Sequence, residues 1–509
     1  MLKYNLYMKK LSKTNYILYL DCAKNAWVKI HKPEIYNQNE LSQFEKNIIE
    51  TGNEIDKLAR SLFPGGVLVE NREDIDYTKS LIDKKTEVIY QPVFETDKYM
   101  MASDILVWNN KVNAYDLFEV KASNSGEDKG SKDKLYTYDL AFQYTVLKSL
   151  NVPINKTYII RLNNEYVRGG EIDLHDLFTR EDFSEKVLKI KDDVAVEMEN
   201  AYKLLSDSKE PFGECKCILR GKSSQCTTFK YSNPNVPEYS VHQISKIGLS
   251  KRKLEYLVDN DILDIKDVPE DTEGVFELSE NQRNQVRAVQ TGKTKIDHVG
   301  IHDFLSGIQY PISFLDYETF AAAVPRFGGY SPFNQIPFQF SLHILEKDSD
   351  KLKHEEFLFT EKTNPDEHFI KAMQKYIPKS GSIIVWHKSF EMGKNVELGK
   401  RNPEYAKYLD DINFRIIDLE EPFKQQMLVH PDFKGKTSIK YVLPALTKTS
   451  YKDMNIKEGG SASDTWNKIV TDQYGDMEQK QKIRDLLDYC KLDTKAMYDI
   501  WKYLEDLVN

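Results

Sequence analysis

At 509 residues the chain is too long for one hydrophobic core, so two or three domains are expected. A net charge of −9 argues against wholesale coating of nucleic acid, although acidic metal sites beside local basic groups remain compatible with it. No apolar run reaches the roughly 18 residues that cross a bilayer, and Tyr16–Leu20 is too short for a secretory signal, so a cytoplasmic protein without a membrane partner is expected.

Five cysteines in a reducing compartment do not suggest a disulfide framework. Cys22 stands alone, Cys215, Cys217 and Cys226 cluster, and Cys490 lies far downstream. Residues 11–62 read as helical, with Cys22 inside LDCAKNAW and a second amphipathic stretch from Leu41 to Leu62. Strand composition follows in VIYQPVF at 88–94, MMASDILVW at 100–108 and NAYDLFEVKAS at 113–123. Asn109–Asn110 predicts a hairpin between the last two. A charged loop, Asn124–Lys134, leads into a helix through about Leu150, and NKTYIIRLN at 155–163 is another strand. This alternation is that of an α/β core.

Period-two geometry puts Tyr115, Leu117, Glu119 and Lys121 on one strand face, with Asp104 on the preceding strand. Asp104 and Glu119 can bind a divalent ion, the Val120 carbonyl can add a ligand, and Lys121 can orient a water or offset developing charge. The bland explanation is a same-face surface ion pair between Glu119 and Lys121, worth little. Gln143 on the following helix favours the metal site.

With Asp104, Glu119, Lys121 and Gln143 in this order, residues 11 to about 230 resemble a PD-(D/E)XK nuclease of the RecB type, the branch that includes the CRISPR-adaptation exonucleases. The resemblance implies that these four residues form the catalytic set. It also implies a 4Fe–4S cluster held by one early cysteine and three after the core, here Cys22, Cys215, Cys217 and Cys226. Zinc would satisfy four cysteines equally well. Two features depart from the family pattern. The upstream His is missing, with Asp56 near its place, and the late cysteines are spaced C-x-C-x8-C instead of C-x2-C-x5-C.

From 232 to 306 the character changes. NPNVPEY reads as a linker, and short helices are expected over SVHQISKIG, KRKLEYLVDNDI, KDVPEDTEG and LSENQRNQVRAVQTG. Leu254, Leu257, Ile262 and Ile265 resemble the core of a helix–hairpin–helix module, with Lys251, Arg252 and Lys253 as candidate phosphate contacts.

SFLDYETF at 313–320 reads as a buried strand with Phe314, Asp316, Glu318 and Phe320 on one face. Two carboxylates side by side on an apolar strand are costly unless a cation lies between them. IPFQFSLHIL, HEEFLF, a helix over about 366–377, SIIVWH at 382–387 and RIIDL at 415–419 follow. Three meandering strands, then helix, strand, helix and strand, is the order of the ribonuclease H-like fold. The last helix, about 478–508, has an apolar stripe of Leu486, Cys490, Met497, Ile500 and Leu504. Asp493 interrupts it, with Tyr489 one turn earlier. If this helix packs on the first strand, Asp493 joins Asp316 and Glu318 as a metal ligand.

This combination of D-x-E and Y-x3-D resembles the tyrosine variety of the DnaQ-like DEDD exonucleases over about 311–509. The resemblance implies 3′–5′ exonuclease activity with two Mg²⁺ or Mn²⁺ ions and Tyr489 orienting the attacking water. Glu391 in HKSFEMGKN stands at the place of the family's fourth acid, one methylene longer than its usual Asp, and Asp418 is a second candidate. Lys434, Lys436 and Lys440 are candidates for holding the substrate strand.

The expected architecture is therefore multidomain α/β: a PD-(D/E)XK domain over 1–231, a helical linker over 232–306 and a ribonuclease H-like domain over 307–509. The whole resembles a bacterial family that fuses a RecB-like nuclease to a DnaQ-like exonuclease. It implies metal-dependent hydrolysis of phosphodiester bonds in DNA or RNA. No G-x4-G-K-[ST] loop is present, so unwinding would require a helicase or another repair or defence partner. The competing readings are a nucleic-acid-binding protein with one or both sites degenerate, and a hydrolase of small phosphodiesters.

Overall fold

The computed structural model describes residues 10–37, 43–125, 130–211, 213, 215–269, 276–349, 351–452 and 454–509. The chain forms two compact α/β units, which makes it a multidomain α/β protein. The first unit comprises Met1–Ile218, Ser224–Pro234 and Ala322–Asn334; the second comprises Leu219–Ser223, Asn235–Ala321 and Gln335–Asn509. The stretch expected as a separate helical linker falls mostly within the second. Among the described residues, no helix is long and apolar enough to cross a membrane.

In the first unit the early region is helical: α1 (Lys13–Asp21), α2 (Ala23–His31) and α3 (Gln43–Arg60). The first two residues of the expected Leu41–Leu62 helix lie outside the described residues. Cys22 is not inside a helix but between two, with φ −154°. Its N–H reaches the Leu18 carbonyl and its own carbonyl accepts from Ala26, so it closes α1 and opens α2.

The main sheet of this unit contains β1 (Val67–Leu68), β2 (Val88–Tyr90), β3 (Ile105–Asn109), β4 (Ala114–Asn124), β5 (Ile154–Leu162) and β6 (Phe178–Asp182), hydrogen-bonded in that order. The expected hairpin is β3–β4, with Trp108 opposite Tyr115. α4 (Ser131–Ser149) carries the chain from β4 to its parallel neighbour β5, and α5 (Ser184–Ser206) packs on α4. Part of the expected charged loop, 126–129, lies outside the described residues.

Two expected strands are each divided. Gln91 takes a left-handed φ of 53° and Pro92 offers no N–H, so 88–94 splits between two sheets. The stretch 100–108 splits at Ser103–Asp104, and its halves pair in different sheets. Asp104 thus sits just before β3, not within a strand. Leu11–Ser12, Tyr99–Ala102 and Val93–Glu95 form the smaller sheet. Its pairing Ser12↔Met100, together with Ser12 capping α1 through Asn15 N at 3.2 Å, fixes the position of Lys13.

The second unit opens with turns and helices. Two 3₁₀ turns, Val241–Gln243 and Ile247–Leu249, replace the helix expected over 240–248. α6 (Lys251–Asp259) and α7 (Glu280–Thr291) follow, and Val241, Ile244, Ile247, Leu254, Leu257, Ile265 and Val286 share a buried cluster. Most of the helix expected over KDVPEDTEG, 270–274, lies outside the described residues.

The rest of the unit is built on β7 (Ile312–Ala321), β8 (Gln335–Leu345), β9 (Leu352–Leu358), β10 (Ile383–Val385) and β11 (Ile416–Asp418). Spatial order is β9-β8-β7-β10-β11; β7–β8–β9 are antiparallel, whereas β10 runs parallel to β7 and β11 to β10. α8 (Asp366–Tyr376), α9 (Ser389–Arg401) and α10 (Ala406–Arg415) fill the connections, followed by α11 (Ile439–Leu446), α12 (Gly459–Val470) and α13 (Asp476–Val508).

Strand β7 is covered on both faces. Leu315 and Tyr317 pack with Phe369, Met373, Leu398 and Ile412 on one side. Phe314 meets Tyr498 and Trp501 of α13 on the other, and Phe320 meets Trp466 of α12. Polar ties also hold α13 to β8. Gln339, paired with Glu318 in the sheet, donates to the Leu486 carbonyl at 2.8 Å, and Thr494 Oγ1 meets Ser341 Oγ and His343 Nδ1, each at 2.8 Å. These contacts bracket Cys490 and Asp493, so that stretch of α13 is held against the acidic face of β7.

Candidate functional site

Four carboxylates of the second unit act on one another. Asp316 and Glu318 come from β7, Glu391 from the first turn of α9, and Asp493 from α13. Burial pushes Asp316 and Glu318 well above the ordinary carboxylate range, and repulsion from Asp493 and Glu391 adds to it. Burial likewise pushes Glu391 up to about 8 and Asp493 up to about 6. Glu391 is 2% exposed, and its Oε2 is buried with no hydrogen-bond partner among the described residues. Buried carboxyl groups that repel one another are costly as anions. Oxygen donors in this arrangement suit a hard divalent cation, which would remove the repulsion and use the orphaned oxygen.

Around the acids stand groups that orient them. Tyr489 lies one turn before Asp493 on α13 and is buried against it. Tyr451, absent from the sequence-derived set, donates to Asp493 Oδ1 at 2.5 Å. Burial and the nearby Asp493 carboxylate hold both phenols well above the usual range. Lys440, near the start of α11, is exposed while its charge acts on Glu318 and Asp493. Lys436 donates to Tyr441 at 3.0 Å, and Lys434 lies 4.0 Å from Glu238. Asp418 accepts from the His387 and Glu420 backbone at 2.9 and 3.0 Å, and its charge acts on Glu391. Cys490, expected only as part of an apolar stripe, brings its Sγ to 3.7 Å from Asp316 Oδ2.

The first unit brings Asp104, Glu119, Lys121 and Gln143 together and adds two residues. Lys121 Nζ bonds Glu119 Oε1 and Asp139 Oδ2, each at 2.7 Å. Lys13 reaches the same Glu119 oxygen at 2.7 Å and Asp139 Oδ1 at 3.2 Å. Gln143 Nε2 donates to Glu119 Oε2 and Asp139 Oδ1, at 2.7 and 2.9 Å. Asp104 Oδ2 accepts the Val120 N–H at 2.7 Å.

The electrostatics follow from three acids and two ammonium groups. Burial and the neighbouring Glu119 push Asp104 up to about 7. Burial alone would lower Lys13 and Lys121, but Asp139 and Glu119 carry both upward. Burial opposes ionisation of Asp139, yet the two lysines hold it far below the ordinary range. Gln143 Oε1 is buried and has no hydrogen-bond partner among the described residues. Asp56 instead joins Arg60 and Gln91.

Asp139 was legible in principle, since it precedes Gln143 by one helical turn on α4. Lys13 was not, because its contact with Glu119 spans 106 residues.

The cysteines form a third group. The Sγ atoms of Cys22, Cys215, Cys217 and Cys226 all lie within 4.8 Å of one another, and Cys215 and Cys226 are 3.8 Å apart. Asn233 Nδ2 donates to Cys215 Sγ at 3.2 Å. Sulfurs around one tetrahedral zinc, with bonds of about 2.3 Å, stand about 3.8 Å apart. The observed spacing fits such an ion.

Residues 313–438 match a family described as a domain of unknown function (DUF2779). This span holds Asp316, Glu318 and Glu391 but neither Tyr489 nor Asp493. The chain is also similar to an uncharacterised protein of Ureaplasma parvum serovar 3, UU173, with 26% identity over 55% of this chain and 42% of that protein. An uncharacterised Mycoplasma pneumoniae protein, the MG366 homolog, is 25% identical over 38% of this chain and 32% of its own length. The chain thus matches less than half the length of either relative.

Proposed function

We propose that the chain is a metal-dependent nuclease that hydrolyses phosphodiester bonds of DNA or RNA, with its principal centre at Asp316, Glu318, Glu391 and Asp493. One observation carries this reading: carboxyl groups from β7, α9 and α13, three of them buried and Asp316 half-buried, act electrostatically on one another, and Glu391 has an unpartnered buried oxygen. The order β9-β8-β7-β10-β11 supports the ribonuclease H-like assignment, and Tyr489 one turn before Asp493 supports the tyrosine-type 3′–5′ exonuclease.

Bound Mg²⁺ or Mn²⁺ would supply Lewis-acid polarisation of the phosphate and a lowered pKa for the attacking water. The protein's own residues do the rest. Asp316, Glu318 and Asp493 would hold the ions, with Glu391 as a direct or water-mediated fourth donor. Tyr489 orients the attacking water from its position beside Asp493. Tyr451 fixes the Asp493 carboxylate through the 2.5 Å hydrogen bond. Lys440 offers positive charge at the exposed edge, where a substrate phosphate would arrive.

In the first unit, Asp104, Glu119, Lys121 and Gln143 form the second proposed centre, of PD-(D/E)XK type. Lys13 favours a second reading for this unit. Its ammonium already engages Glu119 and Asp139, which suits a nucleic-acid clamp with a closed metal site. The cysteine group is proposed to hold a structural metal. Its spacing supports zinc, whereas an iron–sulfur cluster would require the thiols to spread apart. Cytoplasmic action, with a helicase or other repair or defence partner, completes the proposal.

The test is hydrolysis of 5′-labelled single- and double-stranded DNA and RNA with Mn²⁺ or Mg²⁺. The wild type should shorten strands from the 3′ end, and Asp316→Ala should not. Failure of the wild type on every substrate would reject the nuclease reading. Activity confined to short model diesters would favour a small-phosphodiester hydrolase.

A further inference from the structure

Cys490 takes no part in the oxygen-donor chemistry proposed above, yet α13 presents it directly to the acids. Its Sγ lies 3.7 Å from Asp316 Oδ2, and the donor atoms of Asp316, Glu318 and Cys490 all fall within 4.8 Å of one another. The thiol is fully buried. A second observation concerns the neighbouring Glu391. Glu391, whose charge acts on both Asp316 and Glu318, is 2% exposed and keeps Oε2 without a hydrogen-bond partner among the described residues. Asp493, by contrast, is tied to Tyr451.

Mg²⁺ selects oxygen ligands and would ignore a thiol. Zinc and cadmium bind sulfur strongly, and zinc also exceeds manganese in its affinity for mixed donors. Two carboxylates and one thiolate leave zinc one of its usual four positions to fill. We propose that Asp316, Glu318 and Cys490 form a mixed thiolate–carboxylate site for a thiophilic divalent cation of the zinc class. Binding forms a metal–sulfur bond and releases the thiol proton to solvent. Because Asp316 and Glu318 are shared, zinc bound here displaces Mg²⁺ or Mn²⁺ and makes the centre zinc-inhibited. The inhibitory part rests on the nuclease reading; the site itself does not.

The test is ¹¹³Cd NMR on the full chain loaded with ¹¹³Cd²⁺. The wild type should show a strongly deshielded tetrathiolate signal from the four-cysteine group and a separate, less deshielded signal from a site with one sulfur. Cys490→Ser should remove the second signal and keep the first. In a parallel assay, the zinc concentration that halves Mn²⁺-dependent hydrolysis should rise at least about tenfold in this variant. Should Cys490→Ser fail to fold, Glu318→Gln decides, since it keeps the thiol and should still abolish the one-sulfur signal. Persistence of that signal in either folded variant, or its absence from the wild type, overturns the proposal. A one-sulfur signal lost in Cys490→Ser, in a protein that hydrolyses nothing, would uphold the site while rejecting the nuclease reading.

Discussion

The Tyr451 hydroxyl donates to Asp493 Oδ1 at 2.5 Å, and its ring lies 6.2 Å from that of Tyr489. Two tyrosines thus attend one carboxylate, one from α13 itself and one from the chain between α11 and α12. Removing the Tyr451 hydroxyl deletes a hydrogen bond to a charged group, a loss of about 1.5–3 kcal/mol. Tyr451→Phe should therefore raise the Asp493 pKa by roughly one to two units. Mn²⁺ titrations at several pH values should show the midpoint of binding moved upward by that amount. An unchanged midpoint would mean that Tyr451 only fills space.

Glu391 makes stability depend on pH in a defined direction. Burial moves its carboxyl from 4.5 up to about 8 in the folded chain. Between these values the folded state binds the extra proton, so this contribution to stability falls as pH rises. Glu391→Gln removes the group's titration. In chelator, the variant should match the wild type near pH 5 and exceed it near pH 9, by a few kcal/mol at most. Thermal unfolding across this range checks it. Mn²⁺ should raise the wild-type melting temperature more at high pH than at low pH, because the cation takes the place of the proton.

Lys13 neutralises Glu119 and Asp139 from a partly buried position. Lys121 still bonds both acids, so removing Lys13 leaves one negative charge less compensated, at a cost of up to about 3 kcal/mol. Lys13→Met should lower the metal-free melting temperature and enlarge the stabilisation that Mn²⁺ provides. Equal Mn²⁺ stabilisation in wild type and variant would show that the ammonium does not compete with a cation at Glu119.

The parts of the site that could be read from the sequence are those where local periodicity conflicts with chemistry. Asp316 and Glu318 stand out because period-two alternation sets both on one face of an apolar strand. Asp493 stands out because it interrupts a buried helical stripe. Lys13 and Tyr451 carry no such local signal, since their meaning comes from contacts 106 and 42 residues away. Cys490 fits its stripe so well that its contact with Asp316 was invisible. Asp104 reads as part of a strand because apolar runs do not reveal where the chain passes from one sheet to another. Cys22 reads as helical because flanking helices hide a single extended residue between them.

The most direct test of two cation-dependent centres is product analysis of end-labelled strands for four proteins in Mn²⁺: wild type, Asp316→Ala, Glu119→Ala and the double variant. Asp316→Ala should lose 3′ shortening by roughly a thousandfold, equivalent to about 4 kcal/mol of barrier. Glu119→Ala should lose a distinct set of products, and the double variant should be inert. Undiminished 3′ shortening in Asp316→Ala would contradict the account at its centre.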